Sequence, residues 1–94
     1  MSKFKLGQLV ATRKVAERAE TDLDFYDFVC ESIRSYISCD WGDTCDEDKR
    51  MNDDAVKNGE RILAVYIQRK TGEKIWIITE WDRSVTTILF PSEY

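Results

Sequence analysis

The chain of 94 residues contains no histidine, a single proline and no long apolar run. Without histidine, neither a Ser-His-Asp nor a Cys-His catalytic set can be assembled within the chain. Catalysis would have to rely on carboxylates, a bound metal, Tyr, Lys or Arg, or on residues of a partner. No stretch approaches the roughly 20 apolar residues that a membrane helix needs, and the start, Met1–Lys5, lacks the apolar core of a signal peptide. These absences predict a cytoplasmic protein with no membrane partner.

Cysteine and glycine are scarce as well. The three cysteines, Cys30, Cys39 and Cys45, are odd in number and include no CxxC pair, which argues against a disulfide framework. The lack of histidine also removes the usual zinc ligand sets. The four glycines form no glycine-rich strand–loop–helix signature of a nucleotide cofactor site. We therefore expect free thiols and no cofactor.

The net charge of −4 is unevenly distributed along the chain. The segment from Asp40 to Asp54 holds seven acids and two bases, a net charge of −5, which leaves +1 for the rest. A direct nucleic-acid interface is not expected, because neutralising phosphates requires clustered Lys and Arg. A basic protein partner, a cation or simple solubility would each account for the acidic segment.

The hydrophobic pattern of the first two thirds predicts two helices. With 43% hydrophobic and 34% charged residues, the composition is that of an ordinary globular chain, and its length predicts one domain over residues 1–94. Apolar residues at helical spacing predict a helix from about Asp22 to Ser38, with Thr21 as its N-cap. A second helix is predicted from about Glu47 to Asn58, with Asp46 as N-cap and Gly59 as the stop. The stretch 14–20 reads either as a short helical lead-in or as a loop.

The last third reads as β-structure. Strands are predicted over 61–68, 74–79 and 85–90, with a polar hairpin connection at 69–73 and Pro91 as the end of the ladder. A further short strand is predicted over 6–12. The sequence therefore predicts an α+β fold, with two helices packed on one face of a three- to four-stranded antiparallel sheet.

A series of short motifs runs through the chain. In order, they are Asp40-Trp41-Gly42-Asp43, Asn52, Gly59-x-Arg61-Ile62-Leu63-x-x-Tyr66, Lys74-Ile75-Trp76-Ile77-Ile78-Thr79-Glu80, Asp82-Arg83-Ser84-x-Thr86-Thr87-Ile88-Leu89 and Pro91-x-Glu93-Tyr94. Together with residues 6–12 they resemble a group of small bacterial proteins encoded mainly on plasmids, integrated elements and phages. Members are often labelled plasmid-related proteins or type I restriction endonuclease subunit M.

The resemblance implies a mobile-element setting but no catalytic residues. A literal methyltransferase subunit is excluded, because 94 residues without a glycine-rich signature cannot form the cofactor-binding domain. The chain departs from the expected family pattern at Trp81, where a small residue is expected, and at Cys39, where glycine is expected. The bulk of Trp81 would crowd any pocket at that turn.

The polar stretch Thr79–Ser84 has two interpretations. In the first, Glu80 and Asp82 are acid/base groups or metal ligands and Arg83 clamps an anion. In the second, the stretch is a strand–turn–strand connection in which Asp82 bonds backbone groups and Arg83 pairs with a carboxylate. Trp81 is the tryptophan most expected to be exposed, and such a residue can anchor a protein interface.

The acidic segment also has several interpretations. Asp43, Asp46 and Asp48 do not have the ligand spacing of a calcium-binding EF-hand loop, which leaves only a weak Mg²⁺ or Ca²⁺ site. A solvated cluster at a helix start is the plainer interpretation. A third is an acidic patch that imitates DNA phosphates toward a DNA-binding enzyme.

Two functional hypotheses follow. The first is a non-enzymatic accessory protein of a mobile element that binds another protein, with interference in host restriction or defence as one specific version. Its contact surface would comprise Glu80, Trp81, Asp82 and Arg83 together with Asp40, Asp43, Asp46 and Asp48. The alternative is a small carboxylate-dependent enzyme or metal-binding protein that uses Asp40, Asp43, Glu80 and Asp82, which requires the two turns to lie close in space.

Overall fold

The computed structural model describes residues 3–94, which fold into three α-helices and a four-stranded sheet. The elements in order are β1 (Gln8–Ala11), α1 (Arg13–Thr21), α2 (Leu23–Ile37), α3 (Asp46–Asn58), β2 (Ile62–Ile67), β3 (Lys74–Thr79), β4 (Val85–Leu89) and a 3-10 turn (Pro91–Glu93). The predicted α+β class is confirmed, with one helix more than expected. None of these helices is long and apolar enough to cross a membrane.

The sheet has the strand order β1-β4-β3-β2 and is mixed. β2, β3 and β4 form the predicted antiparallel meander, with Ile62 opposite Thr79 and Thr79 opposite Thr86. β1 runs parallel to β4, so the prediction of a wholly antiparallel sheet is wrong for this strand. Hairpin turns set the direction of consecutive strands, whereas β1 is separated from β4 by all three helices and is not constrained in this way.

Residues 14–20, for which the sequence was compatible with either a helix or a loop, lie within helix α1. Thr12 caps its start by accepting a hydrogen bond from the Val15 N–H at 3.4 Å. Asp22 then ends α1 and caps α2, because its carboxylate accepts the Phe25 N–H at 3.1 Å. The predicted cap Thr21 is instead the last residue of α1, and its hydroxyl donates back to carbonyls of the preceding turn.

Helix α3 begins one residue before its predicted start and ends where it was predicted to end. Cys45 occupies the N-cap position in extended conformation, and Asp46 is the first helical residue rather than the cap. Gly59 ends the helix in the left-handed conformation, at φ 69°, as predicted.

The hydrophobic core lies between the helices and one face of the sheet. Its fully buried side chains include Phe25 and Tyr36 of α2 and Ile62, Ile75 and Ile77 of the sheet. Trp41 folds back onto this core as predicted, and its indole N–H donates to Asp53 at 2.9 Å. The sheet is therefore covered by helices on one face only.

A hydroxyl chain crosses the core. The Tyr36 hydroxyl lies 2.6 Å from Thr79 Oγ1, which lies 2.7 Å from Thr86 Oγ1, which donates to the Leu6 carbonyl at 2.7 Å. Burial raises the pKa of Tyr36, so its hydroxyl stays neutral. The chain satisfies three buried hydroxyls at the point where β3 and β4 pass beneath α2.

The other face of the sheet, called the open face below, has no helix on it in the described chain. The pairing register places eleven residues on it, namely Gln8, Val10, Leu63, Val65, Ile67, Lys74, Trp76, Ile78, Val85, Thr87 and Leu89. Only Ile78 and Leu89 are buried, and neither belongs to the helix-side core. Tyr94 partly covers this face, because its ring packs against Trp76 at a centroid distance of 5.3 Å and beneath the Arg61 guanidinium.

Candidate protein-binding surface

The acidic segment folds along the free edge of β2 and satisfies its backbone. The Asn52 amide donates to the Leu63 carbonyl at 2.9 Å and accepts from the Leu63 N–H at 3.3 Å. The Val65 N–H donates to Thr44 Oγ1 at 2.8 Å, and the Val65 carbonyl accepts the Asp43 N–H at 2.9 Å. An unpaired strand edge is a template for pairing with another chain, and these contacts close it.

Asp43 takes part in this closure. Its carboxylate accepts the Ile67 N–H at 2.8 Å and is ion-paired with Arg69. Burial works to raise the pKa of Asp43, but the hydrogen bonds from Arg69 and the Ile67 N–H outweigh it and hold that pKa below its usual value. Asp43 therefore has a structural role at the sheet edge, which the sequence pattern did not predict.

The other predicted acids of this segment differ in their surroundings. The Asp40 carboxylate accepts the Gly42 N–H at 3.2 Å, and the Asp40 carbonyl accepts the Tyr66 hydroxyl at 2.7 Å. Asp46 and Asp48 are exposed in the first turn of α3, where the positive end of the helix dipole favours negative charge. Of the four acids, only Asp46 and Asp48 present carboxylates that make no hydrogen bond or ion pair within the described chain.

The Glu80–Ser84 stretch forms the tight connection between β3 and β4. The Asp82 carboxylate accepts the Ser84 hydroxyl at 2.7 Å and the Ser84 N–H at 3.1 Å, and these bonds hold the pKa of Asp82 below its usual value. The Arg83 N–H donates to the Glu80 carbonyl at 2.9 Å. This geometry matches the second interpretation of the stretch for Asp82, in which the aspartate stabilises the turn.

Arg83 is directed into the molecule and not toward solvent. Its guanidinium donates to the carbonyls of Ala55 at 2.9 Å, Glu60 at 2.6 Å and Glu80 at 3.2 Å. It thereby fastens the turn to the C-terminus of α3, where the negative end of the helix dipole favours a cation. Within residues 3–94, Arg83 does not form the ion pair with a carboxylate that the second interpretation predicted.

Trp81 and Glu80 remain on the surface at the end of the sheet. Trp81 is 67% exposed, which agrees with the expectation that it is the exposed tryptophan. Glu80 follows β3 on the side of the open face and pairs with Arg61 at 3.7 Å. The turn thus offers one large aromatic side chain beside the polar border of the open face.

The two predicted groups of carboxylates lie at opposite ends of β2. Asp43 is bonded to Ile67 at one end, and Glu80 is paired with Arg61 just before the other. Ile67 lies six residue steps after Arg61 along the strand, a distance of about 20 Å between their backbones. One cation cannot bind both groups, since metal ligands lie within about 2.6 Å of the ion. Within residues 3–94 no three His, Cys, Asp or Glu side chains are placed to hold a metal.

A groove of about 500 Å³ separates α2 from the end of β2. It brings Asp43 beside three acids of α2, namely Asp24, Asp27 and Glu31. Arg69 neutralises Asp43, and Lys70 pairs with Asp24 at 2.9 Å. The remaining negative charge therefore comes from α2, whose acids were not among the predicted site residues.

Comparisons with protein-family models, curated proteins and solved structures give no match to this chain. The resemblance to mobile-element proteins consequently stays a prediction from the sequence motifs.

The open face is the feature that sequence reasoning did not select as a site. Its signal was present, because β2 and β3 read as nearly continuous apolar runs instead of alternating apolar and polar residues. Such runs are typical of strands that are buried on both faces. In the described chain helices cover only one face. Of the apolar residues on the other face, Ile78 and Leu89 are buried and the rest are half-buried.

Proposed function

We propose that the chain is a non-catalytic accessory protein that binds another protein through its open face, with Trp81 as an anchor at the border. The observation that carries this proposal is the apolar character of the open face. A solvated face of an antiparallel sheet ordinarily carries polar side chains, whereas this face carries Leu63, Val65, Trp76 and Val85, which are only half-buried. A contiguous apolar patch with a polar border is typical of an interaction surface.

The polar border supports binding rather than chemistry. Arg61 and Glu80 pair with each other at one end of the open face, and Lys74 is exposed at the other. A hydrophobic centre within a polar rim is the usual anatomy of a protein interface. A tryptophan that becomes buried in an interface can contribute about 2 kcal/mol or more to binding.

The motif resemblance supports a more specific version, in which the chain is encoded on a plasmid, phage or integrated element and interferes with host restriction or defence. Asp48, which lines a cavity together with Leu63 of the open face, would add exposed negative charge toward a DNA-binding partner. No geometry favours the alternative of a carboxylate-dependent enzyme, since its two acid pairs lie about 20 Å apart by strand length.

Affinity capture from host lysate with matched variants tests the proposal. The variant Val65→Thr/Val85→Thr makes the open face polar while keeping β-branched side chains, and Trp81→Ala removes the anchor. Both variants should lose partners that the wild type captures, with at least a tenfold lower yield. Leu23→Ala is the control, because Leu23 is 73% exposed on α2 and lies off the open face. Capture that is equal for wild type and both variants would refute the open face as the interface.

A further inference from the structure

The two edge strands of the sheet differ in whether their outward backbone groups are hydrogen-bonded. The β2 edge is closed by Asp43, Thr44 and Asn52. At the β1 edge, the Gln8 N–H donates to the Ser84 carbonyl and the Thr12 N–H to the Ile88 carbonyl, each at 3.0 Å. Because strand residues alternate in direction, the backbone groups of Leu9 and Ala11 point away from β4, toward solvent.

The β1 edge lacks most of the features that keep strand edges from pairing. Gln8–Ala11 contains no proline and no charged residue, and no helix or loop of the described chain bonds to its outer side. Only its shortness, four residues, limits pairing. Leu9 is 44% exposed on the same side of the sheet as Thr86. An added strand would therefore hydrogen-bond to free backbone donors and acceptors of β1 and would also cover the apolar side chain of Leu9.

The charged residues around β1 indicate the charge of the partner that this edge would bind. Residues 3–14 contain four bases and no acid, in a chain whose net charge is −4. All four are exposed, namely Lys3, Lys5, Arg13 and Lys14. Lys5 precedes the strand and Arg13 and Lys14 follow it, whereas the Lys3 N–H is bonded to the Ile37 carbonyl at the end of α2. Only Arg13 has an ion pair within the described chain, an exposed contact with Glu17 at 3.3 Å. The edge is thus an open backbone template with Lys5 before it and Arg13 and Lys14 after it.

A second copy of the chain does not match this pattern. Two β1 strands paired edge to edge in an antiparallel dimer would place Lys5 of one copy near Arg13 and Lys14 of the other. Like charges across an interface disfavour association. An acidic strand would instead be attracted, because both of its ends would lie near positively charged residues.

We infer that the β1 edge binds an extended acidic segment of another protein, which adds a fifth strand to the sheet. The outward N–H and C=O groups of Leu9 and Ala11 pair with its backbone, in the manner of β-strand addition. An apolar residue of the segment covers Leu9, and Asp or Glu residues on both sides of it meet Lys5 and Lys14. The charge does not select strand direction, since both ends of β1 are basic.

This surface is separate from the open face, so the inference is independent of the proposed function. The probe is a displayed library of random twelve-residue peptides, selected for binding to the folded chain. The selected peptides should carry β-branched residues at the centre and acids at both ends. They should also slow hydrogen exchange at the Leu9 and Ala11 amides, as measured by NMR.

Two variants test the mode of binding. Leu9→Pro removes an N–H that makes no hydrogen bond in the described chain, so the fold should persist while peptide binding is lost. Lys5→Glu/Lys14→Glu should weaken binding about tenfold, whereas Arg50→Glu/Lys57→Glu changes the charge equally on α3, beside the opposite sheet edge, and should leave it unchanged. Circular dichroism of each variant verifies the fold.

Three results would overturn the inference. The first is a selection that yields no binders or yields binders without acids. The second is peptide binding to Leu9→Pro within twofold of the wild type. The third is a dimer that dissociates on Leu9→Pro, which would make a second copy the occupant. Binding to Val65→Thr/Val85→Thr should equal that of the wild type, and a loss there would assign the peptides to the open face instead.

Discussion

Replacing Asn52 by alanine should open the β2 edge and destabilise the fold. Asn52 is 4% exposed, and its side chain forms two hydrogen bonds with the backbone of Leu63. Alanine retains the helix but leaves the Leu63 N–H and C=O without protein partners. The change therefore isolates the contribution of one side chain to closing the sheet edge.

The magnitude follows from those two bonds. Leaving a buried donor or acceptor unpaired costs about 1–3 kcal/mol. Leu63 is half-buried, so water reaches its backbone in part, and we expect a total loss of about 2 kcal/mol rather than the full penalty twice. In a domain of this size each kcal/mol lowers Tm by about 4–8 °C, which gives a decrease of about 8–16 °C.

Urea and thermal unfolding followed by circular dichroism measure this loss. Asp54→Ala is the matched control, since Asp54 is exposed on the same helix and its side chain forms no hydrogen bond within the described chain. Asn52→Asp at neutral pH should be at least as unstable as Asn52→Ala, because a carboxylate oxygen then faces the Leu63 carbonyl. A loss for Asn52→Ala within about 0.5 kcal/mol of that for Asp54→Ala, the range of ordinary surface substitutions, would refute the edge-closing role.

Three further substitutions probe other parts of the fold. Arg83→Ala should lower the free energy of unfolding by about 2 kcal/mol in urea titrations, because three carbonyls lose a charged donor, and equal stability to wild type would argue against this role. Gly42→Ala should lower Tm more than a surface substitution, because a Cβ there would lie 2.4 Å from the Tyr66 ring at a φ of 60°; an unchanged Tm contradicts it. Asp43→Asn should destabilise the chain at pH 7, and this effect should shrink as the pH falls below about 4, because a carboxyl with a lowered pKa contributes stability above its unfolded pKa and loses it as pH falls through the folded one. Urea unfolding at pH 7 and pH 3 tests this, and an equal difference at both would oppose it.

The meander could be predicted from sequence because its determinants are local. Apolar β-branched runs, a polar connection containing Gly72 and the turn at Glu80–Ser84 define β2, β3 and β4 within a few residues of each boundary. The stop of α3 at Gly59 is local in the same sense. The direction of β1 was missed because it depends on the path of three helices between β1 and its partner.

The roles of the polar residues could not be predicted because they depend on contacts between distant segments. Arg83 bonds carbonyls up to 28 residues away, and Asp43 bonds an N–H 24 residues away. In a linear sequence both resemble solvent-exposed charges. Of the charged residues predicted to form a contact surface, some therefore make hydrogen bonds within the fold and others are exposed.

Apolar patterning would have been the better guide to the surface. A strand with one solvated face alternates, and the runs Ile62–Ile67 and Ile75–Ile78 do not. A fold that covers one face of such strands with helices leaves the other to be covered by something else. Selection for stability alone favours polar residues there, since exposed apolar patches promote aggregation. The retention of an apolar open face, in a chain that closes its β2 edge with three side chains, is the reason to expect a partner.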